Sequence, residues 1–188
     1  MTCIAVITDG KKIVIGGDSA GTAGLSLTVH KDPKVFKRED ESGIEWLFGF
    51  TGSFRMGELI QYELKLPKIK EKHKEDLYAF MVKKFIPALR GCLKKGGYAR
   101  KQYNVEHGGT FIVGILGRIF KVDSDYQAAE PLDSFIAIGC GHDLAKGSLH
   151  TSEGIQDLGD RVAIALEAAQ RFSAAVREPF IILETKSS

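Results

Sequence analysis

The sequence predicts an α+β protein: a four-layer αββα sandwich in which two mainly antiparallel sheets pack together and helices cover both outer faces. Three observations carry that reading. The elements run strands, two helices, strands, helices, strand. Some strands are apolar at almost every position, which marks both of their faces as buried. The helical stretches are segregated from the strands, and each has one apolar stripe with which to cover a sheet. At 188 residues the chain is expected to form one domain over residues 1–188.

The elements follow in order. Residues 3–8 and 11–17 flank Asp9-Gly10, a two-residue hairpin signal. Strands at 34–38 and 44–50 are separated by a polar turn at 39–43, and the second is apolar from Trp46 onward. Ser53 can N-cap a helix that Pro67 stops near residue 66. A second helix over 75–93 aligns Leu77, Met81, Phe85, Leu89 and Leu93 on one stripe, with a kink expected at Pro87. The mixed charges at 68–76 and the basic stretch 94–101 read as solvated loops. Strands resume at 110–116, 118–122 and 135–139. A short helix starts near His142, and a long one over 158–176 turns Val162, Ala165, Leu166, Ala169 and Phe172 inward. Residues 180–183 form the last strand.

Composition excludes several classes. The 26 basic and 24 acidic residues nearly cancel, and no basic run is interleaved with stacking aromatics, so a nucleic-acid binder is not expected. No segment has the roughly 20 apolar residues that span a bilayer, and the N-terminus has no signal-peptide pattern. Cys3, Cys92 and Cys140 are too few and too scattered for a disulfide framework or a zinc site. The five histidines show no metal spacing, so no metal is expected. The expected compartment is the cytoplasm.

The chemistry starts at Thr2. Methionine aminopeptidase removes Met1 readily before threonine, which exposes an α-amine beside a hydroxyl. One residue then holds a nucleophile and a base, since such an amine has a pKa of roughly 7.7–8.0. A nearby cation would lower the pKa of both groups, and backbone donors would stabilise an oxyanion. Asp18 ends a strand in a glycine-rich turn, where a charge needs a partner. Lys34 begins the next strand. Gly49-Phe50-Thr51-Gly52-Ser53 is a strand-to-helix turn whose amides can cradle an anion. Taken singly, the Asp18–Lys34 pair or the glycine turns would be structural; beside Thr2 they read as a site.

Thr2, then Gly17-Asp18-Ser19, then Lys34, then Gly49-Phe50-Thr51-Gly52, strongly resembles the proteasome β-subunit and the bacterial proteasome-like peptidase HslV, which are N-terminal-nucleophile (Ntn) hydrolases. Counted from Thr2, Asp18 and Lys34 fall at that family's intervals. The turn Ile138-Gly139-Cys140-Gly141 is similar to its Ile-Gly-Ser-Gly turn, with a thiol in place of the usual hydroxyl. The resemblance covers most of the chain and implies roles. Thr2 attacks the scissile carbonyl, Lys34 lowers the nucleophile's pKa, and Asp18 keeps Lys34 charged and oriented. The Gly52 amide receives the oxyanion, and Cys140 stands where the family hydrogen-bonds the threonine amine. Gly21, Thr22 and Gly24 pair with the substrate as an added strand, with Phe50 also on the substrate side. The family's Asp and Ser after the last helix have no clear counterpart in Arg177-Glu178-Pro179-Phe180.

The resemblance also implies a homo-oligomeric ring, hexameric or heptameric and stacked, that degrades unfolded polypeptide. No cofactor is implied in this chain, because ATP would be used by a partner unfoldase ring. Two alternatives use the same fold: an inactive scaffold or assembly subunit that retains Met1, and a small-substrate Ntn amidase. Cys3 neighbours Thr2, but strand alternation points it to the opposite face. His142 lies nearest the site turn and reads as an exposed cap residue.

Overall fold

A computed structural model describes residues 2–23 and 26–186. Its strands in the first half are β1 (Cys3–Thr8), β2 (Ile13–Gly17), β3 (Ala20–Ala23), β4 (Ser26–Val29), β5 (Val35–Glu39) and β6 (Glu45–Phe50). Those in the second half are β7 (Arg100–Gln102), β8 (Val105–His107), β9 (Phe111–Ile115), β10 (Arg118–Val122), β11 (Ala128–Ala129), β12 (Phe135–Gly139) and β13 (Ile181–Glu184). The helices are α1 (Phe54–Glu58), α2 (Glu71–Glu75), α3 (Leu77–Phe80), α4 (Ile86–Lys95), α5 (His142–Thr151) and α6 (Leu158–Phe172).

One sheet has the order β12-β1-β2-β13 and the other β11-β10-β9-β6-β5, with every pairing antiparallel. Three apolar clusters fill the three spaces between four layers. Ile4, Val6, Ile13, Ile15, Val35, Leu47 and Ile112 lie between the sheets. Cys3, Ala5 and Ile7 point the other way, against Val162, Ala165, Leu166 and Ala169 of α6. Trp46, Phe48 and Phe50 alternate with Leu47 and pack under α1, α3 and α4. Period-two alternation therefore buries both faces of β1 and β6, and the αββα sandwich is realised.

The local signals hold with some differences. Ser53 Oγ accepts the Met56 amide at 3.3 Å and caps α1, which continues as a π-helical turn at Leu59–Glu63. The stripe Leu77, Met81, Phe85, Leu89 and Leu93 is buried. Its helix is interrupted before Pro87 by a π-helical turn, Met81–Phe85, in which the Ile86 amide donates to Met81 O five residues back. Proline's missing donor and its ring demand that relief. Residues 71–75 form the exposed helix α2 instead of a loop, and the basic stretch extends into the hairpin β7–β8. The long helix ends at Phe172, which is 75% exposed, contrary to the inward position expected for it. Among the described residues no helix is long and apolar enough to cross a membrane.

Candidate active site

Asp18 follows β2 and takes over where the β1–β2 ladder stops. Its amide donates to Cys3 O at 3.2 Å, and its Oδ1 accepts the Cys3 amide at 2.9 Å. The carboxylate thus extends the sheet by one side chain and fixes the residue after Thr2. The same Oδ1 accepts Lys34 Nζ at 2.9 Å, and Oδ2 accepts the amides of Ala20 at 3.1 Å and Arg177 at 3.5 Å. Asp18 is 1% exposed and Lys34 2%, so this ion pair is buried. Burial lowers the Lys34 pKa below its ordinary 10.5, while the Asp18 carboxylate opposes that shift.

Thr2 is buried at the N-terminal end of β1. Its nitrogen, an amide while Met1 is attached and the α-amine after its removal, donates to Cys140 Sγ at 3.3 Å. The thiol in turn donates to Thr2 O at 3.4 Å, and the Gly141 amide donates to the same oxygen at 3.3 Å. Gly139 has φ +93°, and a Cβ there would lie 2.1 Å from Thr2 O. Only glycine lets the turn after β12 come so close to the threonine backbone.

Thr2, Lys34, Gly21, Phe50 and Gly52 line one small cleft of about 80 Å³, together with Ser53 and Phe54. Gly52 is exposed at φ +90° and turns the chain out of β6 into α1. Phe50 ties both sides of the cleft together. Its amide donates to Lys34 O at 3.1 Å, and its ring meets Phe54 edge-on at 5.7 Å. Thr22 lies on β3, opposite Leu27 of β4. Gly24 falls outside the described residues.

The fold thus gathers Thr2, Lys34, Gly21, Phe50 and Gly52 at one cleft, with Asp18 behind Lys34 and Cys140 at the threonine nitrogen. Cys3 points into the helix-facing cluster, where burial and the nearby Asp18 charge push its thiol up to about 12. It stays protonated at neutral pH and is not an activated thiol. His142 Nδ1 donates to Gly139 O at 2.7 Å and so braces the site turn rather than lining the cleft. No group of three metal-ligating side chains occurs among the described residues.

Two residues at the site were not singled out from the sequence. Ser173, which caps the C-terminus of α6, places its Oγ 3.8 Å from Cys140 Sγ. Arg177 supplies backbone on both sides of the Asp18 turn: its amide reaches Asp18, and its carbonyl accepts the Ser19 amide at 3.1 Å. Ser19 Oγ also donates to Pro179 O at 2.6 Å. The segment without a side-chain counterpart therefore contributes main-chain groups. A backbone contribution has no residue-type signature, and Ser173 lies inside the span 158–176 expected to be helical, so it gave no signal either.

Two packed antiparallel sheets between helical layers, with a threonine at the start of the first strand beside a buried lysine–aspartate pair, define the Ntn-hydrolase type of fold. Comparison with solved structures gives the same class. BPH from Thiobacillus denitrificans in complex with epoxomicin superposes with a TM-score of 0.77 at 17% identity, covering 99% of each chain. HslV from Trypanosoma brucei superposes with a TM-score of 0.68 at 17% identity, covering 97% of this chain and 98% of its own. Anbu from Pseudomonas aeruginosa, seen in a helical assembly, gives 0.65 at 16% identity over 98% of this chain and 81% of its own. No family profile and no curated protein sequence matches the chain. The fold is that of the HslV and proteasome type.

Proposed function

We propose that the chain is a threonine peptidase of the HslV and proteasome type, active once Met1 is removed. The observation that carries this reading is the convergence on buried Thr2 of a buried lysine–carboxylate pair, a thiol at its nitrogen and the Gly52 turn. Thr2 Oγ1 attacks the scissile carbonyl carbon, and its proton passes to the α-amine directly or through a water. The Lys34 cation, kept in place by Asp18, favours the alkoxide that forms. The Gly52 amide receives the oxyanion, a donor worth about 2.7–4 kcal/mol in comparable sites. The C–N bond then breaks, the proton held by the amine goes to the leaving nitrogen, and Thr2 carries the acyl group as an ester. Water attacks that ester with the α-amine as base, releasing the acid and restoring Thr2.

Substrate backbone would pair with β3 at Gly21 and Thr22, which fits an enzyme that accepts many sequences. The assembled form in this reading is a homo-oligomeric ring in the cytoplasm that acts on unfolded polypeptide. The chain itself needs no cofactor, and a partner ATPase ring feeds it. The multi-subunit assembly of a fold neighbour, Anbu from P. aeruginosa, supports the oligomeric part.

Intact mass spectrometry of protein from its native cell reports whether Met1 is lost; retention there overturns the threonine mechanism in favour of a scaffold. Fluorogenic peptide turnover that Thr2→Ala abolishes supports the peptidase, and equal residual turnover in both proteins overturns it. Size-exclusion chromatography with light scattering tests the ring, which a stable monomer refutes.

A further inference from the structure

Beside the catalytic cleft, across Phe50 and Phe54, lies a larger open cavity of about 460 Å³. Those two rings line both spaces. His30 also belongs to its wall and touches the cleft side: a Cβ at Gly21 would sit 2.2 Å from His30 Nε2, and the His30 ring lies 4.4 Å from that of Phe54. A substrate strand held against Gly21 therefore has this cavity within side-chain reach of the bond at Thr2.

The cavity has a pronounced chemistry. Its walls include Phe50, Phe54 and Tyr62, and its charged groups among the described residues are the carboxylates of Asp32, Glu58 and Glu63 against the guanidinium of Arg55. Arg55 is engaged with Glu58 at 3.4 Å. Neither Asp32 nor Glu63 has an ion-pair partner among the described residues. An acidic side chain entering here meets two carboxylates held in no ion pair, and an apolar one strips water from them without replacing it. A long basic side chain does neither. Its stem lies along the rings, its charge is attracted by their faces, and its head reaches the carboxylates.

We infer that this cavity selects substrates carrying lysine or arginine at the residue whose carbonyl Thr2 attacks. The inference rests on the peptidase reading and adds a substrate class to it. The selectivity is built by groups on the segment before Lys34 and on the helix after Gly52, so the same loops that place the catalytic groups also place the carboxylates.

The test uses processed full-length protein and fluorogenic peptides that differ only in Arg, Leu or Glu at that residue. The expected kcat/KM order is Arg over Leu by about 10-fold and Arg over Glu by about 100-fold, the range of one or two charge-assisted contacts. In Asp32→Asn/Glu63→Gln the Arg-to-Leu ratio should fall about 10-fold, with a thermal melt confirming the fold. A wild-type preference for Leu or Glu, or a ratio unchanged in the variant, overturns the inference. Isothermal titration of uncleaved Arg and Glu peptide amides onto Thr2→Ala separates the two readings. Arg-selective binding without any wild-type turnover supports the acidic cavity and overturns the peptidase; turnover with no Arg preference in either assay overturns the cavity alone.

Discussion

On the Thr2 side of the cleft the charged groups are buried and tied to the backbone. Asp18 alone joins Lys34 and the amides of Cys3, Ala20 and Arg177. On the far side of Phe50 and Phe54, Asp32 and Glu63 are exposed and engaged in no ion pair among the described residues. Both regions border the same few residues of β6 and α1, yet they answer to different physics. A buried charge without its partner costs several kcal/mol, so the first region is coupled to folding. A solvated carboxylate costs almost nothing to change, so the second is free to set specificity. Perturbing each region should therefore separate chemistry, stability and selectivity.

The largest effect is expected at Thr2. Thr2→Ala in processed protein should lower kcat/KM by about 10⁴-fold or more, with stability shifted by about 1 kcal/mol or less. Retained turnover in this variant would remove Thr2 from the chemistry and erase the distinction between the two regions.

Next come the ion-pair variants. Lys34→Met leaves the buried Asp18 charge without its counter-ion and should cost about 3–5 kcal/mol in a denaturant titration, along with nearly all activity. Asp18→Asn/Lys34→Met removes both charges and should regain much of that stability while staying inactive. If activity returned with stability, the pair would be a structural element only.

The pH dependence sharpens the same point. Burial lowers the Lys34 pKa below 10.5, so its charge, and with it kcat/KM, should be lost on the alkaline side before an ordinary lysine would titrate. The stability contribution runs the other way. Between the lowered pKa and 10.5 the unfolded chain holds the proton that the native state has released, so stability from this group rises with pH. A falling rate in protein that is no less stable identifies Lys34; a rate loss that tracks unfolding points elsewhere.

Smaller effects follow at the thiol and the open carboxylates. Cys140→Ser puts a stronger hydrogen-bonding group at the Thr2 nitrogen and should change kcat/KM upward by about 2–5-fold, whereas Cys140→Ala should lower it. Asp32→Asn/Glu63→Gln should alter stability by no more than about 0.5 kcal/mol even as it changes substrate preference. A larger loss would show that the open region is also coupled to folding.

Much of the fold was legible because the apolar pattern was strong. The apolar run from Trp46 to Phe48, which marks a strand buried on both faces, and the stripe from Leu77 to Leu93 needed no tertiary information. The hairpin β7–β8 was hidden because Tyr103 and Asn104 occupy positive φ where glycine would have announced the turn. Phe172 was misplaced for a related reason: helical spacing assigns it to the inner face, but α6 ends there and its cluster is filled by Ala169 and Val176. Ser173 and Arg177 were missed because one acts at the end of a helix and the other through its backbone.

The sequence by itself determined the layered architecture and the candidates Thr2, Asp18, Lys34 and Gly52, because residue type and short-range spacing encode periodicity, turns and charge. The tertiary structure decided how those groups meet and what else joins them. Cys140 reaches Thr2 across 138 positions of chain, and the Arg177 amide reaches Asp18 across 159. Local pattern carries no information over such separations; they are closed by burying the apolar faces of two sheets and their helices. That packing is what turns a threonine, a carboxylate and a lysine spread along the chain into one buried cluster.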